Sequence, residues 1–182
     1  NTLNIVGTNN FARNAGNNTV SAMTGNGTLH LVTNSGITFT FEGNISGFSG
    51  TVAADALGNL RFNPSTGSAA ALFDLGTGSC FMNTRNGNIT VQLGALAGGS
   101  STELQGARSA DNPTTFVVGG KNVDATFQGL IRDWTNIRLI NIVKTGTGTW
   151  TLTHANTYTG TTTVNGGTLL VNNSSGSGTG SN

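Results

Sequence analysis

The feature that most restricts this chain is a return of apolar residues at an interval too long for one strand or helix. Phe39, Phe62, Phe81, Leu104, Phe127, Trp150 and Leu169 follow one another at steps of 23, 19, 23, 23, 23 and 19 residues. A second series, Leu29, Val52, Phe73, Leu93, Phe116, Leu139 and Val164, advances by 20 to 25. The clearest unit is the stretch 141–172, where Ile142/Val143, Trp150/Leu152, Val164 and Leu169/Val171 are set in Thr, Asn and Gly. Such a segment cannot shelter its own apolar face, so it needs a copy of itself stacked above or below. Two columns with this period predict an all-β solenoid in coils of about 20–25 residues, each coil adding about 4.8 Å.

The text between the columns agrees. From Gly27 onward, runs such as GTLHLVT, ITFTFEG, NLRF, ITVQL, TTFVV and TWTLT alternate or stay apolar for four to seven residues between Gly, Asn or Ser. That is the signature of short strands, and no segment holds a helical apolar period over eleven residues. Asn-Gly at 26–27, 86–87 and 165–166 and Gly-Gly at 98–99, 119–120 and 166–167 supply the positive φ values that corners need. An aromatic precedes a corner Gly by two residues at Phe48, Phe127 and Tyr158, which predicts corner plugs. Two prolines in the whole chain suit a sheet-dominated fold, since Pro removes a ladder hydrogen bond. The expected organisation is an irregular first coil or cap at 1–26, the solenoid at 27–172, and a Gly/Ser-rich tail or the start of a further coil at 173–182. A start without Met and an end in SSGSGTGSN are expected of a fragment or processed form.

The run KTGTGTWTLTHANTYTGTTTVNGGTLLVN at 144–172 resembles the autotransporter-associated β-strand repeat, also called the passenger-associated transport repeat. Lys144-Thr-Gly-Thr-Gly, Ala155-Asn-Thr-Tyr-Thr-Gly and Val164-Asn-Gly-Gly-Thr-Leu carry the likeness. LGALAGGSSTEL (93–104), TTFVVGGKNVDATFQGLI (114–131) and GNISGFSGTV (43–52) are similar to flanking coils of the same proteins. Departures are Trp150, where the family usually has Leu, and the Arg132-Asp133-Trp134 insertion. The resemblance implies a right-handed parallel β-helix on a secreted or cell-surface bacterial protein, and implies no catalytic site.

Composition narrows the chemistry. Charged residues are 8% of the chain and the net charge is +1, which gives no signal for nucleic acid or other polyanions. The single Cys80 cannot close an internal disulfide and is expected to be buried and inert. No apolar run approaches the roughly 18 residues a membrane helix needs. The acids Glu42, Asp55, Asp74, Glu103, Asp111, Asp124 and Asp133 are dispersed, with only Asp111 and Asp133 spaced to stack at one corner, which argues against the paired carboxylates of a glycosidase or a calcium cage. His30 and His154 lie in different coils, so no zinc set or Cys/His nucleophile assembles. GTGTW and VNGGT lack the Lys-Ser/Thr of a phosphate loop. No catalytic residue, metal or cofactor is expected.

Two binding signals remain. Arg61, Arg85, Arg108 and Arg132 are 24, 23 and 24 residues apart, near the coil length, and the last three, which lie four or five residues after Phe81, Leu104 and Phe127, are expected to line one corner. They either splay into solvent and pair with Asp111 and Asp133, or form a groove for the carboxylates of an acidic glycan. Trp134 falls in the polar string Arg132-Asp133-Trp134-Thr135-Asn136 and is the best candidate to stack on a sugar ring; a lid over the apolar column near Leu130 is the other reading. Trp150 shares parity with Leu152 and so reads first as core. Tyr158, between two threonines, reads as a corner plug with its hydroxyl in water. The candidate ligand-binding residues are therefore Trp134, Arg132, Asp133, Arg108, Arg85, Tyr158 and Trp150. The leading expectation is a monomeric, non-catalytic module binding a plant-cell-wall-type polysaccharide such as xylan, attached to a secreted enzyme. The alternative is a structural or adhesive stalk segment of an autotransporter passenger, and a hydrolase or lyase stands third.

Overall fold

The computed structural model describes residues 2–13, 18–33, 36–54, 58–64, 66–109 and 111–180; Asp55, among the acids weighed above, lies outside them. Eighteen strands and no helix occur among the described residues. The first nine are β1 (Leu3–Ile5), β2 (Thr8–Arg13), β3 (Asn18–Gly25), β4 (Thr28–Thr33), β5 (Thr38–Asn44), β6 (Thr51–Ala53), β7 (Asn59–Phe62), β8 (Gly67–Asp74) and β9 (Phe81–Thr84). The rest are β10 (Thr90–Ala97), β11 (Glu103–Gln105), β12 (Thr114–Val118), β13 (Ala125–Phe127), β14 (Leu130–Arg132), β15 (Ile140–Lys144), β16 (Thr149–Leu152), β17 (Thr162–Val164) and β18 (Thr168–Val171).

These strands stack in parallel as a β-solenoid of about seven turns. One sheet runs β17-β15-β12-β10-β8-β6-β4-β2, a second runs β1-β3-β5-β7-β9-β11-β14, and a third holds β13-β16-β18. The chain alternates between the first two sheets until β12, and from there each coil adds a strand on the third side. Residues in register are 19 (Trp150 and Leu169) to 27 (Leu104 and Ile131) positions apart, which is the coil length. Pro64 and Pro113 sit just outside β7 and β12, where no ladder amide is lost.

The interior is filled by rows of like residues, one from each coil. In the seven-stranded sheet the row is Phe39, Leu60, Met82, Leu104 and Ile131. In the eight-stranded sheet Leu29, Val52, Phe73 and Leu96 are successive partners, as are Val91, Phe116 and Ile142. All of these are buried. At the N-terminal half the filling is aromatic: Phe11, Phe39, Phe41, Phe62 and Phe73 meet at ring centroid distances of 5.2 to 6.2 Å, mostly edge to face. Such pairs add about 0.5–1.5 kcal/mol each beyond their buried area.

The rows differ from the sequence columns in several places. Phe81 faces outward, half-buried, opposite Asn59 and Glu103, and Met82 holds the interior position; a one-residue offset exchanges the faces of a strand. Phe127 and Trp150 belong to the third sheet, where Phe127 is opposite Leu152, and Trp150 lies between Ala125 and Leu169. Leu93 gives way to Leu96 because the pairing of β10 with β8 shifts register between Leu93 and Ala95. An irregularity of this kind inserts residues without breaking the sheet. Likewise Ile142, not Leu139, continues the row of Phe116, and Val164 is opposite Lys144.

The segment expected as an irregular first coil supplies β1, β2 and β3, each paired in register with the coil that follows. Past β18 the chain turns into a further layer, where Ser177 and Gly178 carbonyls accept from the Asn156 backbone and side-chain amides at 2.6 Å each. One glycine shows how closely the coils approach. Gly119 has φ +120°, and a Cβ there would run into the Thr145 carbonyl of the next coil. Only glycine satisfies both demands.

Candidate functional site

Corners join the coils through a recurring device. An Asn or Asp side chain at a corner, or just inside a strand as at Asn141, accepts the backbone N–H of a threonine one coil later, and commonly its hydroxyl as well. Asn141 Oδ1 accepts Thr161 N (2.9 Å) and Oγ1 (3.2 Å), Asn122 Oδ1 accepts Thr147 N (3.0 Å) and Oγ1 (3.4 Å), and Asp124 Oδ1 accepts Thr149 N (2.7 Å). These bonds run along the stack, as expected of stacked polar ladders. Asn83 Nδ2 donating to Asn59 Oδ1 at 2.6 Å is the side-chain version on a strand face.

Asp133 belongs to this set and is the most fully used. Its Oδ1 accepts Ile140 N at 2.7 Å, and its Oδ2 accepts Thr159 N at 2.8 Å and Thr159 Oγ1 at 2.7 Å. Three donors on one carboxylate hold both ends of the segment 133–140, which leaves the coil after β14 and returns as β15. Within it Trp134 N donates to the Arg138 carbonyl and Arg138 N to the Thr135 carbonyl, closing a tight corner. The equivalent connection of the preceding coil, between β11 and β12, is of similar length, and Trp134 stands half-buried near the start of this one.

Arginines collect around that indole. The Arg108 guanidinium carbon stands 3.5 Å from the centre of the Trp134 ring, and that of Arg132 stands 5.5 Å away. Arg138 was not singled out by spacing, yet it positions this group: Nη1 donates to the Arg108 carbonyl at 2.7 Å and Nε to Asp111 Oδ1 at 2.8 Å. Arg132 Nε donates to Glu103 Oε2 at 2.5 Å, and Gln105 Nε2 shares that oxygen at 2.7 Å. The pairing expected for Arg132 with Asp111 or Asp133 is replaced by Glu103, because Asp133 spends its oxygens on amides and a hydroxyl. Burial lowers the pKa of the Arg108 guanidinium, with Arg132 and Arg138 adding to the effect. Arg61, half-buried on the strand face, is lowered by burial first and then by Arg108 and Arg85.

The 24-23-24 arginine spacing thus combines two kinds of position. Arg61 and Arg132 lie on strands β7 and β14, whereas Arg85 and Arg108 follow the ends of β9 and β11. Ser109 N donates to the Arg85 carbonyl, which places Arg85 one coil below Arg108 and away from the indole. Beside the corner opens a cleft of about 440 Å³ lined by Arg132, Asp133, Trp134, Thr135, Asn136, Thr157 and Thr159. Thr157 and Thr159 come from the next coil, 23 and 25 residues after Trp134, about one coil length away.

Two candidates are removed from this surface. Trp150 is 1% exposed, and its Nε1–H donates to the Leu96 carbonyl at 3.0 Å, so its ring presents no face to a ligand. Tyr158 is fully buried as well; its hydroxyl meets Thr162 Oγ1 at 2.6 Å instead of water. Burial raises the phenol pKa, Thr162 opposes that shift and Asp133 adds to it. Lys144 is a buried cation of another kind. Its ammonium donates to the Thr145 carbonyl at 2.6 Å and the Gly166 carbonyl at 3.2 Å, and burial lowers its pKa against the pull of Asp124. Cys80 is buried and forms no disulfide.

Among the described residues no group of three His, Cys, Asp or Glu side chains is placed to hold a metal ion, and no helix is long and apolar enough to cross a membrane. Asp133 is the one carboxylate lining the cleft. Residues 142–171, from β15 through β18, match the family model of the passenger-associated-transport repeat. No curated protein and no solved structure matches the chain.

Proposed function

From a chain that carries a passenger-associated-transport repeat at 142–171, we propose that the protein is a structural, non-catalytic β-helix segment of an autotransporter-type passenger, borne on a bacterial surface or secreted. This was the alternative to the carbohydrate-module reading, and the repeat match favours it. The observation that carries it is the coil-to-coil construction itself. Every row of the interior is completed by the neighbouring coil, and the corners are tied by Asx-to-threonine bonds. Such a body folds by adding one coil to the next, with each coil depending chiefly on its neighbours. That suits a chain delivered progressively through a narrow channel, and the resulting rod holds whatever it carries away from the membrane.

The test is surface presentation. Residues 1–182 fused ahead of an outer-membrane β-barrel translocator should reach the outside of intact cells as a protease-resistant body. Leu60→Asp, which places a charge in the interior row, should be exported poorly or be degraded. A native chain retained inside the cell, or exported with no gain of protease resistance, would refute the proposal.

A further inference from the structure

The corner at Trp134 does something a plain stalk does not require. The 133–140 corner is held by three hydrogen bonds that the Asp133 carboxylate accepts and two that Arg138 donates. The cleft beside it offers an indole, three threonines, a carboxamide, one guanidinium and the Asp133 carboxylate, with no aliphatic side chain in the lining. A lining of this kind has hydrogen-bonding groups for a polyhydroxylated ligand and no enclosed apolar volume for a hydrophobic one. Arg132 engages Glu103 through Nε, which leaves its two Nη groups to donate. Both oxygens of Asp133 already accept hydrogen bonds from the protein. Arg108, which pairs with no carboxylate among the described residues, adds a cation on the indole.

We propose that this corner binds a uronate-bearing polysaccharide. The face of the Trp134 indole that Arg108 does not cover stacks on a sugar ring, the Arg132 guanidinium takes the carboxylate, and Asn136 with the threonines of the next coil meets the hydroxyls. A planar, permanently charged fork suits a carboxylate better than an ammonium would. The site spans two coils, so it exists only in the stacked form of the chain.

Affinity electrophoresis of the whole chain in gels containing polygalacturonate, neutral xylan or dextran sulfate tests the assignment. The expected result is retardation by polygalacturonate with an apparent affinity at least tenfold above that for the other two. Trp134→Ala and Arg132→Gln should each lower it at least tenfold. Asn136→Ala, at an exposed position where folding is not at stake, should weaken it several-fold with an unchanged melting temperature. Oligogalacturonide should also shift the indole Nε1–H resonance of Trp134 and leave that of buried Trp150 in place. Equal retardation by dextran sulfate would mean unselective attraction of polyanions, equal retardation by xylan would remove the carboxylate from recognition, and absence of retardation by any gel would dispose of the site; each overturns the proposal.

Discussion

The Trp150 indole reaches from the three-stranded sheet to the Leu96 carbonyl in the eight-stranded one, 3.0 Å away and 54 residues earlier in the chain. It is a bond through the interior between coils that are not sequence neighbours. The passenger-type repeat usually has Leu at this position; here the larger ring fills the section and its N–H satisfies a buried acceptor. Replacing Trp150 with Phe keeps most of the apolar volume and orphans the Leu96 carbonyl, at about 1–3 kcal/mol. Urea unfolding should show a lower midpoint with an unaltered slope. A variant as stable as the parent would mean that the bond contributes nothing.

Asp133 supports a second prediction. Asp133→Ala strips acceptors from Ile140 N and from Thr159, costing about 1–3 kcal/mol where those amides stay dry. The loss should be local, because coils in a solenoid depend mainly on their neighbours. Hydrogen exchange at the Thr159 and Ile140 amides should accelerate, with amides of β5 and β7 unaffected. Unchanged exchange at Thr159 would disprove the anchoring role.

Phe127 packs its ring against Gly98 and Gly129, at positions where a Cβ would crowd it, and it is fully buried. Phe127→Ala leaves a cavity that glycine neighbours cannot refill, at a cost of about 3–5 kcal/mol. A melting temperature equal to that of the parent would place Phe127 outside the interior.

Alkaline stability should depend on Tyr158. Its phenol pKa is raised by burial, so above the ordinary value of 10.0 the unfolded chain releases a proton that the folded chain keeps. The unfolded state then binds fewer protons, and stability falls as pH rises from about 10 toward the folded pKa. Below pH 10 both states are protonated and the group adds no slope. The buried Lys144 acts in the opposite sense, being lowered in the fold, so the comparison must be with Tyr158→Phe and not with neutral pH alone. The parent should lose stability between pH 10 and 11 faster than the variant. Parallel curves for the two proteins would show that Tyr158 does not ionise on unfolding.

The coil period was written in the chain because a stacked strand must offer the same apolar face at every turn, and Leu29, Val52 and Phe73 do so at nearly equal steps. Strand content and the scarcity of proline followed from the same local chemistry. Which of two adjacent residues faces inward was settled only by stacking. Phe81 and Met82 are both apolar, and the register of β9 against β7 chose Met82. A change of register between Leu93 and Ala95 leaves no local signature, so the row passing through Leu96 could not be read in advance. Nor could the partners of Trp134. Arg108 reaches it from the coil before, Thr157 and Thr159 come from the coil after, and their meeting depends on corner geometry that accumulates over whole turns. Sequence determined the repeat, because each turn must hide its own apolar face against the next; tertiary structure decided the site, because its members share no local constraint and become neighbours only when the turns are laid on one another.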